Sequence, residues 1–519
     1  MPPELPTELW LHIGLYASRQ SLGRLCSVSR QLFHIFVHPL YNAILDLNEK
    51  QSSRLVQTLR TAKNPDWRQH PAEIITQLTL TDEDGLSRCP TTSITDAMKN
   101  LARCVPGGVG SPLRVLHWSV SSCTSRLGQL LLEPGHFPNL KELYVATDES
   151  THNLLFMHKP GLEVFSLKLE LTFTDDEGME SLLYKLGEAM QRLPFTSPLL
   201  HTLQLRVLIS IDGGMLPSNG CTDLAVSMED AHFPALQKLD LSIEFEPEYE
   251  EEDELQDLDF DAFLLSHRNL VDLSLEVTGT TICEDVALLA NLHSFKGFPD
   301  AADTLLSYRP KRLDSLHLSL LHNWNSSHGI STYCIPEYPT YANLESLTIT
   351  AVCADGTTLK QPDSVRPETL EALAASFPNL KHLDTCLSNF VTEYNFALFK
   401  QLERLRVREY RRRLIRRKPL DKVFTPARYR KVAESLAPVL LWLSSVEMTI
   451  LADDREGCET CTCGTCPSYR NADHELEEED DLAQPADIEV EHRFEIVRRE
   501  AAPEVVYLGS NYAPLLYNL

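Results

Sequence analysis

A short unit, apolar-x-x-apolar-x-apolar, recurs along most of this chain. It stands at Ile75/Leu78/Leu80, Leu113/Leu116/Trp118, Leu140/Leu143/Val145, Leu162/Phe165/Leu167 and Leu200/Leu203/Leu205. It continues at Leu236/Leu239/Leu241, Leu270/Leu273/Leu275, Leu313/Leu316/Leu318, Leu344/Leu347/Ile349 and Leu402/Leu405/Val407, with degraded copies at Leu292/Phe295, Leu380/Leu383 and Leu443/Val446/Met448. Many copies follow an aromatic-Pro-Asn/Ala lead-in, and the steps between copies run from 21 to 41 residues. Residues between the repeat apolars are polar, as at Asp272, Ser274 and Glu276 or Glu345, Ser346 and Thr348. Alternation with a period of two predicts a strand with one buried and one exposed face. Stretches such as Asp175 to Leu193 and Pro367 to Phe377 predict helices between strands. Strand, loop and helix repeated at this interval predict a parallel sheet lining the concave face of a solenoid.

The first forty residues follow another period. Pro3 and Pro6 flank an opening turn; Leu9, Ile13 and Tyr16, then Leu22, Leu25, Val28 and Leu32, recur at helical spacing before Pro39. Two or three short amphipathic helices are expected, too small to bury a core alone. The organisation expected is a helical module at 1–45, a helical linker at 46–72 with its helix from Glu49 to about Trp67, and an α/β solenoid over 73–519. The stretch from Asp487 regains apolar alternation and is expected to supply a final strand at the sheet edge.

Two resemblances follow from these residues. The run Leu5-Pro6-Thr7-Glu8-Leu9, with Ile13, Leu22, Leu25-Cys26-Ser27-Val28-Ser29-Arg30 and Pro39-Leu40-Tyr41, resembles an F-box of the form common in fungal proteins, over about forty residues. Leu32 stands where that family usually has a bulky aromatic, with Phe33 next to it. The repeats of 73–450 are similar to leucine-rich repeats. They lack the Asn that usually follows the strand, its place being taken by Asp148, Glu170, Glu244, Thr278 and Tyr410. The F-box resemblance implies a substrate-recruiting adaptor. Leu5, Pro6, Leu9, Ile13, Leu22, Leu25 and Val28 would bind a small Skp-type adaptor that bridges to a cullin–RING ubiquitin ligase, and the solenoid would hold a protein substrate. The alternative is a ligase-independent interaction scaffold whose N-terminal helices only cap the first repeat.

Composition narrows the setting. The 519 residues carry a formal charge of −27, which disfavours a nucleic-acid partner. No apolar run is long enough to span a bilayer (the longest, Leu436 to Val446, is far too short), and the N-terminus lacks the features of a secretory signal. A cytoplasmic or nuclear protein without membrane partners is expected. The charge is uneven: Arg404 to Lys431 holds thirteen Lys or Arg against Glu409 and Asp421, so the remainder carries −38.

Candidate chemistry is sparse. Arg404, Arg406 and Arg408 alternate on a strand and should share a face, with Arg411, Arg412, Arg413, Arg416, Arg417 and Lys418 beyond them. Such an array suits an acidic or phosphorylated substrate, or nuclear import, or a clamp onto the protein's own acidic groups. Cys458, Cys461, Cys463 and Cys466 could hold a soft metal, but all four fall within nine residues beside acidic, low-complexity sequence, and a flexible thiol-bearing loop over 453–486 is expected instead. The acidic run at 246–259 lacks the spacing of a calcium loop. No phosphate-binding glycine loop, nucleophile elbow or metal-binding histidine pair is present, so no catalytic residue, metal or cofactor is expected.

Overall fold

In the computed structural model the described residues are 7–45, 49–61, 70–81, 89–103, 111–120, 124–147, 154–173, 176–211, 220–245, 258–277, 280–282, 289–322, 335, 337–353, 365, 367–387, 395–411, 426–452, 488–498 and 502–510. The chain divides into two compact units, Met1–Leu292 and His293–Leu519.

The first unit opens with three helices, α1 (Thr7–Tyr16), α2 (Arg19–Val28) and α3 (Arg30–Tyr41). Serines separate them for a local reason. Ser18 caps α2 by accepting the Ser21 N–H at 3.3 Å, and Ser29 caps α3 by accepting the Leu32 N–H at 3.1 Å. Leu22, Ile35 and Phe36 form the small core, joined by Trp10, Leu25, Cys26, Leu32 and Leu40. Trp10 meets Phe36 edge-on at 6.0 Å. Gly14 lets α1 approach α3 closely, since a Cβ there would stand 3.0 Å from the Phe36 ring.

The module runs straight into a sheet. Strand β1 (Ala43–Ile44) pairs in parallel with β2 (Gln77–Thr81), so the repeat array begins some thirty residues before the first copy of the apolar pattern. The helix Glu49–Arg60 lies between them and is tied to the helix Thr91–Arg103 by Asn100, whose Nδ2 donates to the Leu59 carbonyl at 3.0 Å. In chain order follow β3 (Val115–Ser119), β4 (Glu142–Thr147), β5 (Val164–Phe173), β6 (Thr202–Ile211), β7 (Lys238–Phe245) and β9 (Asp272–Val277), each parallel to its predecessor in the sheet. The short strands β8 (Leu258–Asp259) and β10 (Thr280–Thr281) pair separately.

The second unit repeats the scheme with β11 (Ser294–Gly297), β12 (Ser315–His322), β13 (Ser346–Cys353), β14 (His382–Leu387), β15 (Arg404–Arg411) and β16 (Ser445–Ala452), all parallel. It ends in two antiparallel strands, β17 (Ile488–Arg498) and β18 (Pro503–Ser510), where a single closing strand was expected.

Register explains the repeat. Leu78, Leu116, Leu143, Phe165, Leu203, Leu239 and Leu273 are successive partners, none more than 2% exposed, and the row of Leu80, Trp118, Val145, Leu167, Leu205, Leu241 and Leu275 lies two residues on. Buried Trp118 satisfies its indole N–H on the Val120 carbonyl at 3.2 Å and the Thr124 hydroxyl at 3.3 Å. Just before most of the parallel strands one carbonyl accepts two N–H groups from the next repeat. Arg114 takes Lys141 and Glu142 at 2.9 and 3.0 Å, and Lys381 takes Glu403 and Arg404 at 2.7 and 3.0 Å.

The asparagine tie between repeats, missing after the strand, exists before it. In the lead-in, the Nδ2 of Asn139, Asn269, Asn291, Asn343 and Asn379 donates to the carbonyls of Ser111, Pro234, Arg268, Lys311 and Ala342, at 2.8 to 3.4 Å. Each bond reaches the same place in the preceding repeat. The device that leucine-rich repeats usually carry after the strand is therefore found here before it.

Candidate functional site

Two surfaces carry the side chains singled out by sequence. On the helical module Leu9 and Ile13 project from α1 and Val28 ends α2, exposed by 49%, 42% and 71%, with Tyr16 at 81% beside them. Leu22, expected among the surface anchors, is only 4% exposed and belongs to the module's own core, and Leu25 packs against it. Leu32 also turns inward, towards that core. Leu5 and Pro6 lie outside the described residues.

The second surface is the sheet face that the buried rows leave open. In the second unit Arg404, Arg406 and Arg408 do share it, because Leu405 and Val407 between them are buried. Their charge is largely spent within the fold. Arg408 pairs with Asp384 on β14 at 2.7 Å. Arg406 lies 3.9 Å from Asp384, 3.7 Å from Glu447 and 4.0 Å from Glu491, while Arg493 holds Glu491 at 3.1 Å. Burial pushes the Asp384 carboxyl up despite the two guanidinium groups beside it. His317 donates to or accepts from Thr350 at 2.6 Å, and burial, helped by Lys296 and Arg408, lowers its pKa to about 4. Arg404 stands apart, exposed and without an ion pair among the described residues. Arg412, Arg413, Arg416, Arg417 and Lys418, the four clustered cysteines and the acidic residues 246–257 and 473–481 lie outside the described residues.

In the first unit the middle row of the open face reads Thr79, His117, Tyr144, Ser166, Gln204, Asp240 and Ser274 in register. His117 and Tyr144 stack with centroids 4.1 Å apart and planes 1° from parallel. The Tyr144 hydroxyl donates to Glu142 Oε2 at 3.1 Å. Burial, with Glu142 adding to it, pushes the phenol up to about 12, so it remains a donor. Burial lowers the His117 pKa against the pull of Glu142, which favours a neutral ring. The signal in the sequence is an aromatic at the outward position of two consecutive copies, His117 within Leu116-x-Trp118 and Tyr144 within Leu143-x-Val145.

Elsewhere the chemistry is structural. A shallow cavity of about 440 Å³ is lined by Lys311, Asp314, Asn343, Glu345, Asn379 and Lys381, the groups of the asparagine tie and of the Lys381–Glu345 ion pair at 2.6 Å. Among the described residues no group of His, Cys, Asp and Glu could hold a metal ion, and no helix is long and apolar enough to cross a membrane.

The architecture is thus a mixed α/β repeat array whose strands stack in parallel and in chain order within each unit. No family of known proteins and no curated protein matches the chain by sequence. Among solved structures it is similar to an internalin (inlF) from Listeria monocytogenes, at 14% identity over 51% of this chain and 79% of that one, with a TM-score of 0.19. It is also similar to the TLR13–ssRNA13 complex, at 14% identity over 60% of this chain and 54% of that one, with a TM-score of 0.22. Similarity at this level assigns neither shape, ligand nor role, and the architecture rests on the strand register of this chain.

Proposed function

We propose that the chain is a non-catalytic recruiting subunit, in which the N-terminal helices bind a Skp-type adaptor of a cullin–RING ubiquitin ligase and the open sheet face holds a protein substrate. The observation that carries the first half is the exposed apolar set of Leu9, Ile13, Tyr16 and Val28 on a module that already has its own core. Large apolar groups left exposed on a module with a satisfied core are the usual anchors of a protein interface. The motif resemblance around them supplies the identity of the partner. A row of half-exposed polar and aromatic side chains on a rigid sheet supports the second half, since such faces choose partners through side chains without moving the backbone.

The test is co-purification of the full-length chain with a recombinant Skp-type adaptor, beside a Leu9→Asp, Ile13→Asp variant. Both positions are exposed, so the variant should keep its fold and its melting temperature. Stoichiometric capture by the wild type, abolished in the folded variant, is the expected result. Failure of the wild type to capture the adaptor would overturn the ligase assignment. The second reading, a ligase-independent scaffold capped by its helices, is favoured by the direct run of α3 into β1, which pairs with β2.

A further inference from the structure

Several carboxylates on the open face of the first unit have a cationic partner. Glu170 is held by Lys168 at 2.5 Å, Asp240 by Arg206 at 2.8 Å and Asp272 by Lys238 at 2.7 Å. Glu142 on the same face has no cationic partner among the described residues; it receives only the Tyr144 hydroxyl, on one of its two oxygens. Beside it stands the stacked pair of His117 and Tyr144. His117 covers one face of the Tyr144 ring. The neighbour on the other side in register is Ser166, whose short side chain has no ring to set against Tyr144, and Gln204 on β6 follows it. Two strand spacings, about 9.5 Å, separate the Tyr144 and Gln204 backbones. Val115 and Val164, the register partners of Glu142, are each 9% exposed and give the carboxylate apolar flanks.

We infer that this slot, formed by the other ring face of Tyr144 and the carboxylate of Glu142, receives an arginine side chain from a protein partner. A planar guanidinium can lie against an aromatic face and turn its N–H edge to a carboxylate at once, which a compact ammonium does less well. The stacked imidazole fixes the ring that the cation meets, so little order is lost on binding. The surplus of negative charge on the chain, −27 in all, draws a basic segment towards it. Tyr and Arg are also among the residue types that dominate interface energetics. The inference deepens the reading of the sheet face as the substrate surface and rests on it, but does not involve the helical module.

The experiment is saturation-transfer-difference NMR on the full-length chain, with N-acetyl-arginine methylamide as probe and the lysine and citrulline analogues as controls. Transfer to the arginine side chain is expected, weaker for lysine and absent for citrulline, which has the same shape without the charge. Tyr144→Leu and Glu142→Gln should each weaken the arginine interaction about fivefold, in the range of a partly desolvated cation–π or ion-pair contact. Tyr144→Phe keeps the ring, frees the Glu142 oxygen and should bind at least as well as the wild type. Thermal melts establish that each variant is folded; Glu142→Gln, a near-isosteric change at a half-exposed position, keeps the test decisive if Tyr144→Leu unfolds. Equal transfer to arginine and citrulline, or an arginine signal unchanged in Glu142→Gln, would overturn the inference. Loss of Skp-adaptor capture with intact arginine transfer would sink the ligase assignment and leave the slot standing.

Discussion

His267 should make the stability of the first unit fall with acidification, and by a predictable amount. Its side chain, 2% exposed, bridges two repeats: Nε2 accepts the Phe233 N–H at 2.8 Å, which leaves the ring proton on Nδ1 to be donated to the Phe263 carbonyl at 2.6 Å. Phe263 packs on it at 4.3 Å. Protonating Nε2 would break the bond to Phe233 and strand a cation among aromatics. Burial, with His232 adding repulsion, accordingly lowers the pKa from 6.5 to about 4. The folded state therefore takes up the proton later than the unfolded chain does. Its stabilising contribution is complete above pH 6.5 and is lost as pH falls towards 4. At 1.36 kcal/mol per pH unit the loss is about 3 kcal/mol. In His267→Leu the Phe233 N–H loses its partner, while the Phe263 carbonyl keeps the Ser266 hydroxyl at 2.7 Å, a cost of about 1–3 kcal/mol that does not vary with pH. The assay is urea unfolding at several pH values, followed by hydrogen–deuterium exchange of peptides spanning Phe233 to His267, for wild type and variant. The wild type should be the more stable at neutral pH, and its advantage should vanish or reverse near pH 4. Other groups, His317 among them, titrate in both proteins and cancel. A gap that stays constant across the range would refute the linkage.

Three further outcomes follow from local geometry. Arg309 ends the helix Pro299–Ser307 in the left-handed region, with φ of 55°, while its N–H bonds the Leu306 carbonyl at 3.0 Å; Arg309→Gly should raise stability by about 1 kcal/mol, read as a higher urea midpoint at unchanged slope. Leu22→Ala should cost about 2–5 kcal/mol locally, enough to unfold so small a core, and proteolysis should then cut within residues 7–41 while the later repeats stay protected. Arg408→Met leaves Asp384 with only Arg406, at 3.9 Å, and should destabilise by about 2 kcal/mol; the double change with Asp384→Leu should recover most of this in a double-mutant cycle.

Much of the sheet was legible because its code is local. The spacing apolar-x-x-apolar-x-apolar marks a lead-in residue and two inward strand residues, and all three positions of Leu140/Leu143/Val145, for example, are buried. Helical periodicity likewise gave the N-terminal helices. It could not say which apolar residues of three small helices face one another and which face out, so Leu22 and Leu9 look alike in sequence and part ways in space. The fate of the arginines was hidden for a different reason. Arg404, Arg406 and Arg408 reveal their common face through alternation, but Asp384, Glu447 and Glu491 reach them only through strand register set by long intervening segments. The slot at Glu142 and Tyr144 is hidden for a like reason: both residues stand on one strand, but the ring is fixed by His117 of the preceding repeat, which only strand register brings against it. The asparagine tie stands in the lead-in, not at the usual position after the strand, and only Asn139 and Asn379 carry it within an aromatic-Pro-Asn sequence.

The paired N–H groups that lead-in carbonyls accept bear on how such a chain can change its length. Three of the devices that register one repeat against the next lie within a few residues at the start of its strand: the doubly accepting carbonyl, the asparagine amide and the first inward leucine. Past that point the return path is held again where it carries a packed helix, as at Leu183, Leu186 and Met190; between these anchors, closing a longer loop costs about 0.6 kcal/mol for each doubling of its length. Insertions and deletions in the loops that flank those helices are therefore cheap, and steps as different as 21 and 41 residues can coexist in one array. New sequence can be trialled in those segments, and old sequence discarded, without disturbing the surface that meets a partner.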